Sequence, residues 1–182
     1  MKVSREQVVE NRRRILDAAA QLFRQRGFDT VTVAEVMHAA GLTHGGFYGH
    51  FDSKEALIAA AMAHEQTAKR SPPPAESPSR YADGYLHRQH RDNIGVSCAF
   101  SALGSDAARA SPAVRHTLTE SLRTQIDAFV VGSEGATPQE RRRNAIAALS
   151  AMVGGMLLAR LVDDERLSDE ILAAARASLR LT

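Results

Sequence analysis

The chain is expected to be all-α, and three observations carry that expectation. Aromatic residues make up only 5% of it, Trp is absent and Ala is abundant, so the residues that favour strands are sparse. Apolar residues recur at helical spacing through most of the 182 residues. Runs of that kind are repeatedly preceded by a residue able to cap a helix: Ser4, Thr32, Thr43, Ser53, Ser111 and Thr137.

Taken in order, Ser4 and Gln7 open a first helix over about residues 5–26, with Ile15, Leu16, Ala19, Leu22 and Phe23 on one face and Gly27 at its end. Thr32 and Glu35 form a capping box for a short second helix that buries Val33, Val36 and Met37; Gly41 closes it and Leu42 plugs the corner. Thr43 caps a third helix with Phe47 and Phe51 inward, and Ser53 a fourth carrying Leu57, Ile58, Ala61 and Met62. Two short helices across a glycine turn, rimmed by Tyr48, His50 and Lys54, are the pattern of a helix-turn-helix unit that enters a DNA major groove and grips phosphates.

Four prolines at 71–79 favour extended backbone and divide the chain. The expected organisation is a DNA-binding domain over 1–70, a linker over 71–80 and a second domain over 81–182. There, helices are expected over about 81–91 and 98–108, and from Ser111-Pro112, Thr137-Pro138 and Ser168-Asp169-Glu170.

Charge agrees with this division. Residues 1–26 hold seven Lys or Arg against three acidic residues, whereas 71–182 hold thirteen of each. The basic end therefore carries the helix-turn-helix, although Arg12, Arg13 and Arg14 also fit a solvated helix face. The lone Cys98 excludes an internal disulfide and a multi-Cys zinc site. Cys98 with His87 and His90 is too loosely spaced for a metal site, so no metal or cofactor is expected. No apolar run reads as a membrane span of roughly 20 residues, and no signal peptide opens the chain, which makes the cytoplasm the default.

Residues 47–57, Phe-Tyr-Gly-His-Phe-Asp-Ser-Lys-Glu-Ala-Leu, preceded by Ala40-Gly41-Leu42, resemble the tetracycline-repressor (TetR) family of bacterial regulators. The likeness runs back through Ile15-Leu16-Asp17-Ala18-Ala19, Leu22-Phe23 and Gly27-Phe28, covering about residues 10–60. It implies a three-helix DNA-binding domain and a helical domain that dimerises through its last two helices and binds a small effector. By position, Thr32, Thr43, Tyr48, His50 and Lys54 would contact phosphates, and His44, Gly45 and Gly46 would face the major groove. The DNA would be a pseudo-palindromic operator. An effector pocket would lie among helices five to eight, with Tyr85, Cys98, Phe100, Leu103, His116, Phe129 and Met152 as candidate lining.

Having Gly45, Gly46 and Gly49 so close together departs from the family's commoner pattern, and each costs about 1 kcal/mol in a helix interior. Either the helix sits close to the groove or it is frayed and orders on DNA. The Met152, Val153, Met156, Leu157 stripe with Gly154-Gly155 fits a dimer interface, and intrachain core explains part of it equally well. The function expected is therefore a homodimeric repressor released from its operator by a small molecule. Two alternatives stand beside it: a redox or electrophile sensor acting through Cys98, and a helical enzyme or interaction protein without DNA binding. Against an enzyme, no Ser/His/Asp order, paired Glu-x-x-His set or phosphate-binding glycine loop stands out.

Overall fold

The computed structural model describes residues 4–68 and 77–180, with the side chains of 65–68 outside the description. Within that range there are nine α-helices and two 3₁₀ segments, and no strand. The α-helices are α1 (Arg5–Arg26), α2 (Val33–Ala39), α3 (Lys54–Ala68), α4 (Pro78–Tyr85), α5 (Arg88–Asp92), α6 (Ala99–Arg109), α7 (Pro112–Gly132), α8 (Pro138–Leu161) and α9 (Glu165–Ser178). Two compact units emerge. One gathers α1 to α3 with residues 103–118; the other gathers residues 77–102 and 119–180.

In the first unit α1 packs on α2 and α3. Ile15, Ala19, Phe23, Val36, Phe47, Leu57 and Ala61 are fully buried or nearly so, which is the helical periodicity of the sequence converted into a core. Phe23 meets Phe28 edge-on at 5.5 Å between ring centres, and Phe47 stacks on Phe51 at 5.8 Å. Gly41, at φ +68°, makes the turn after α2, and a β-carbon there would also press on the Arg14 guanidinium.

In the second unit α8 packs on α9 and α4. Tyr85, Leu86, Phe129, Leu149, Met152, Met156 and Leu172 form its core. Gly155 allows a close helix approach, because a β-carbon there would stand 2.7 Å from the Ala175 β-carbon and 3.3 Å from Leu86 Cδ2. Met152, Met156 and Gly155 thus belong to the intrachain core, whereas Leu157 is exposed. By length and composition α8 would also pass for a membrane-crossing helix, which the sequence reading did not anticipate. Its Ala145, Leu149, Met152 and Met156 face are what anchor it in the unit.

The capping expectations meet mixed outcomes. Thr32 with Glu35 and Thr137 with Glu140 form complete capping boxes, and the Ser53 hydroxyl accepts from the Ala56 N–H. Ser4 accepts from the Gln7 N–H, but the Gln7 amide turns to Asn11 instead of closing the box. The Ser111 hydroxyl is enclosed and makes no hydrogen bond, so α7 starts on Pro112 without a side-chain cap. The last helix starts earlier than Ser168, because the Asp164 carboxylate accepts from the N–H groups of both Arg166 and Leu167. Ser168 lies inside that helix and donates to the Ala159 carbonyl.

Of the proline stretch, 71–76 lies outside the described residues. Residues 78–80 are the first turn of α4, where Ser77 caps and Pro78 occupies the position in which a missing N–H costs nothing. The single helix expected over 81–91 is two, interrupted at Leu86-His87, where His87 caps α5.

Candidate nucleic-acid interface

The segment after the glycine turn differs from the helix expected there. Residues His44–Gly49 form a 3₁₀ helix, and Thr43 precedes it without a side-chain cap. Three glycines in six residues weaken a regular α-helix here, since each costs helix stability and adds no side-chain packing.

Both ends and the middle of this reading head are nevertheless held. The Gly46 N–H donates to the Thr43 carbonyl, and the N–H groups of His50 and Phe51 donate to the Phe47 carbonyl. Phe47 is 1% exposed and meets Tyr48 edge-on at 5.2 Å. Arg12 closes the C-terminal end. Its Nη1 donates to the His50 carbonyl at 2.6 Å, and its guanidinium lies 4.3 Å from the centre of the Phe51 ring. A cation there opposes the negative end of the short helix and rests on an aromatic face.

The residues assigned to phosphates fall into two groups. Tyr48 is 72% exposed and Thr43 is exposed, so both are open to an external partner. The other three already have internal tasks. Thr32 exchanges hydrogen bonds with Glu35, whose other oxygen accepts from Arg26 at 2.7 Å. Those bonds, the backbone one from Thr32 first, hold the Glu35 carboxyl down at about 2. His50 is half-buried against Phe51, and Lys54 Nζ donates to the Asp29 carbonyl at 3.2 Å. His44, Gly45 and Gly46, assigned to the groove, are all exposed. Arg13 is committed to Glu10 and Asp17 along α1, so the arginine run is neither uniformly solvated nor uniformly available.

The candidate pocket residues do not form one set. Tyr85, Phe129 and Met152 share the core of the second unit, with Cys98 packed against it and Phe100 half-buried. Leu103, buried, and His116, exposed, belong to the first unit. A cleft of about 310 Å³ in the first unit is lined by Phe28, Asp29, Lys54, Ile58, Asp106, Arg109, Ser111 and Val114 among others, and none of the seven candidates borders it.

Around Cys98 the structure brings together His90 and Tyr85, which the sequence names beside it, and adds Ser101 and Arg160, which it does not. The His90 Nδ1 lies 2.6 Å from the Tyr85 carbonyl, and its Nε2 lies 3.2 Å from the Cys98 backbone nitrogen. A neutral ring, with Nδ1 donating and Nε2 accepting, satisfies both contacts. Burial holds its pKa below the ordinary value of 6.5. Arg160 donates to the carbonyls of Arg91 and His90 and to the Ser101 hydroxyl. The Tyr85 hydroxyl is enclosed near Cys98 and Ser101 without meeting either at hydrogen-bonding geometry; burial first, then the thiol, push its ionisation well above the phenol range. Arg160 lies some seventy positions from the carbonyls it binds, so no local pattern could have announced it.

Residues 15–61 match the family of bacterial regulatory proteins called tetR. A transcriptional repressor of Mycobacterium tuberculosis is 38% identical over 68 residues, covering 37% of this chain and 36% of the relative. The sequence likeness therefore spans about a third of that relative's length. Solved structures extend the likeness along the whole chain. The reduced form of E. coli NemR superposes with a TM-score of 0.71 at 21% identity, over 93% of this chain and 95% of that one. A TetR-family regulator from Agrobacterium tumefaciens reaches 0.73 at 18% identity, over 95% and 97%. At such identities the superpositions establish the shared fold. Residues 15–61 therefore carry the motif of the tetR family of bacterial regulatory proteins, on a helical scaffold whose fold these solved structures share.

Proposed function

We propose that this protein is a homodimeric transcriptional repressor that binds a pseudo-palindromic operator and releases it when a small molecule binds. The observation that carries the reading is the exposed reading head, with Tyr48 and His44 projecting from a segment pinned by Phe47 and Arg12. Thr43, His44, Gly45, Gly46 and Tyr48 meet the DNA directly. Thr32, His50 and Lys54 support the backbone that meets it, a division favoured by their internal hydrogen bonds and burial. A mobility-shift assay with genomic fragments at two salt concentrations tests this. Specific complexes that weaken as salt rises are expected; no specific complex at low salt would sink it.

Dimerisation is assigned to α8 and α9. Ile146, Leu157 and Leu161 are exposed along α8, Leu161 at 76%, and Ala173, Ala174 and Ala177 are exposed on α9. Large apolar side chains on one outward stripe, with small residues beside them, suit a second copy better than water. Leu157→Glu with Leu161→Glu is expected to give a folded monomer by light scattering that no longer shifts the operator. A dimer of unchanged affinity would move the interface elsewhere.

A second reading for the release signal rests on the enclosed Tyr85 hydroxyl beside Cys98, with Arg160 spending its donors on neutral acceptors. Oxidation of the Cys98 thiol by hydrogen peroxide, giving a sulfenic acid and water, would supply a hydrogen-bonding oxygen beside the enclosed Tyr85 hydroxyl. Operator binding by the unaltered protein and by Cys98→Ser, each before and after peroxide treatment, decides this. Equal loss of binding in both excludes the thiol as the sensor.

A further inference from the structure

The three glycines of the reading head are not required by the protein that contains them. None has a positive φ, so an L side chain is conformationally acceptable at each. A β-carbon built on Gly45 or Gly49 meets no atom within 4 Å, and one on Gly46 meets only Met37 Cε, at an ordinary 3.6 Å. Neither turn geometry nor packing explains their presence, while their cost to a helical turn is real.

Nor does the segment exploit the freedom that glycine provides. Phe47 is buried at its centre, Arg12 holds the His50 carbonyl behind it, and backbone hydrogen bonds to Thr43 and Phe47 bracket it. We infer that Gly45 and Gly49 are specificity-determining positions that let the backbone of the reading head lie directly against base edges in the major groove, at a distance any β-carbon would prevent. The inference rests on the operator-binding function proposed above and deepens it. His44 and Tyr48, both exposed, stand beside the two bare positions and are the side chains left to engage DNA by reach. Bare backbone presents only Cα hydrogens and amides, so discrimination here comes from how closely a base pair fits. A groove edge that is shallow at those steps is accepted and a protruding one rejected.

The alternative, a segment that orders on DNA, makes the opposite prediction. Replacing glycine by alanine stiffens the unbound chain. If ordering limits binding, Gly45→Ala and Gly49→Ala strengthen the complex; if close approach limits it, both weaken it. The experiment selects fragments from genomic DNA with the unaltered full-length protein. It then measures affinity for the retained site and for random duplex with unaltered protein, Gly45→Ala, Gly49→Ala and Gly46→Ala, each checked by thermal unfolding. The expected result is a loss of about tenfold or more for Gly45→Ala and Gly49→Ala on the selected site, with random-duplex affinity and salt slope unchanged. Their unfolding midpoints should be equal to or above that of the unaltered protein, and Gly46→Ala should change affinity less than either. Unchanged or tighter binding by Gly45→Ala and Gly49→Ala overturns the inference while leaving DNA binding intact. Retention of no fragment by the unaltered protein overturns both.

Discussion

Around Phe47 the chain turns its polar groups outward and pins a short helix from behind, whereas around Tyr85 it turns them inward and pairs them with one another. The reading head has one anchored ring, one arginine at its back and a face of exposed His44, Gly45, Tyr48 and Gly49. The cluster in the second unit has a neutral His90, an Arg160 bound to two carbonyls and an enclosed Tyr85 hydroxyl. The first arrangement keeps its binding capacity for an external partner. The second has spent most of its capacity internally, so a signal there acts by changing bonds already made.

Removing the anchor of each region tests that contrast most severely. Phe47→Ala empties a site at the centre of the reading head and should cost about 3–5 kcal/mol of stability, read from denaturant midpoints, with loss of operator binding. Arg160→Met keeps the volume but strands two carbonyls and a hydroxyl. It should cost about 2–3 kcal/mol in the same measurement. If Arg160→Met is instead neutral, the second unit is not held together by its polar cluster and the contrast fails.

Arg12→Ala should separate binding from stability. Losing a charge-assisted bond and a cation–π contact at an exposed position should cost only about 1 kcal/mol. Operator affinity should nevertheless fall clearly, because the reading head loses its rear support; a stability loss with unchanged affinity would reduce Arg12 to an ordinary surface contact.

Acid should produce the smallest and most separable effects. His90 has a folded pKa below 6.5, so the stability linked to its neutral form is present above that value and fades as pH falls below it. Glu35 has its folded pKa lowered from 4.5 to about 2, so its contribution is intact above 4.5 and fades only as pH falls through that lower window. His90→Gln should flatten the upper part of the acid unfolding profile, and Glu35→Gln the lower part. If each substitution alters the other's window, the two regions are coupled more tightly than their separate hydrogen-bond networks imply.

What could be read beforehand followed the same division. Caps, turns and apolar spacing are local, so the all-α class, the boxes at Thr32 and Thr137 and the inward Phe47 and Phe51 were legible from neighbouring residues. The 3₁₀ form of His44–Gly49 was half legible, since the glycines announced an unusual helix but not its pitch. Arg12 on His50 and Arg160 on His90 were not legible, because each joins residues far apart in sequence. The grouping of 103–118 with the first unit was equally hidden, since it depends on where two helices pass in space and not on their composition. At Cys98 the thiol, His90 and Tyr85 were visible, but Ser101 and Arg160, which join the cluster in the fold, were not.

The Arg12 contact bears on how such regulators could be recombined. The compactness of the reading head invites treating it as a portable cassette, something to be cut out at its glycine turn and pasted into a relative to redirect it. Here the cassette's rear wall is supplied by a residue 38 positions upstream. A transplant confined to 43–51 would leave that wall behind, and the grafted segment would be seated by whatever the recipient carries there. The Arg12 contact joins the first helix to the reading head, and retargeting is expected to succeed when the two travel as a pair.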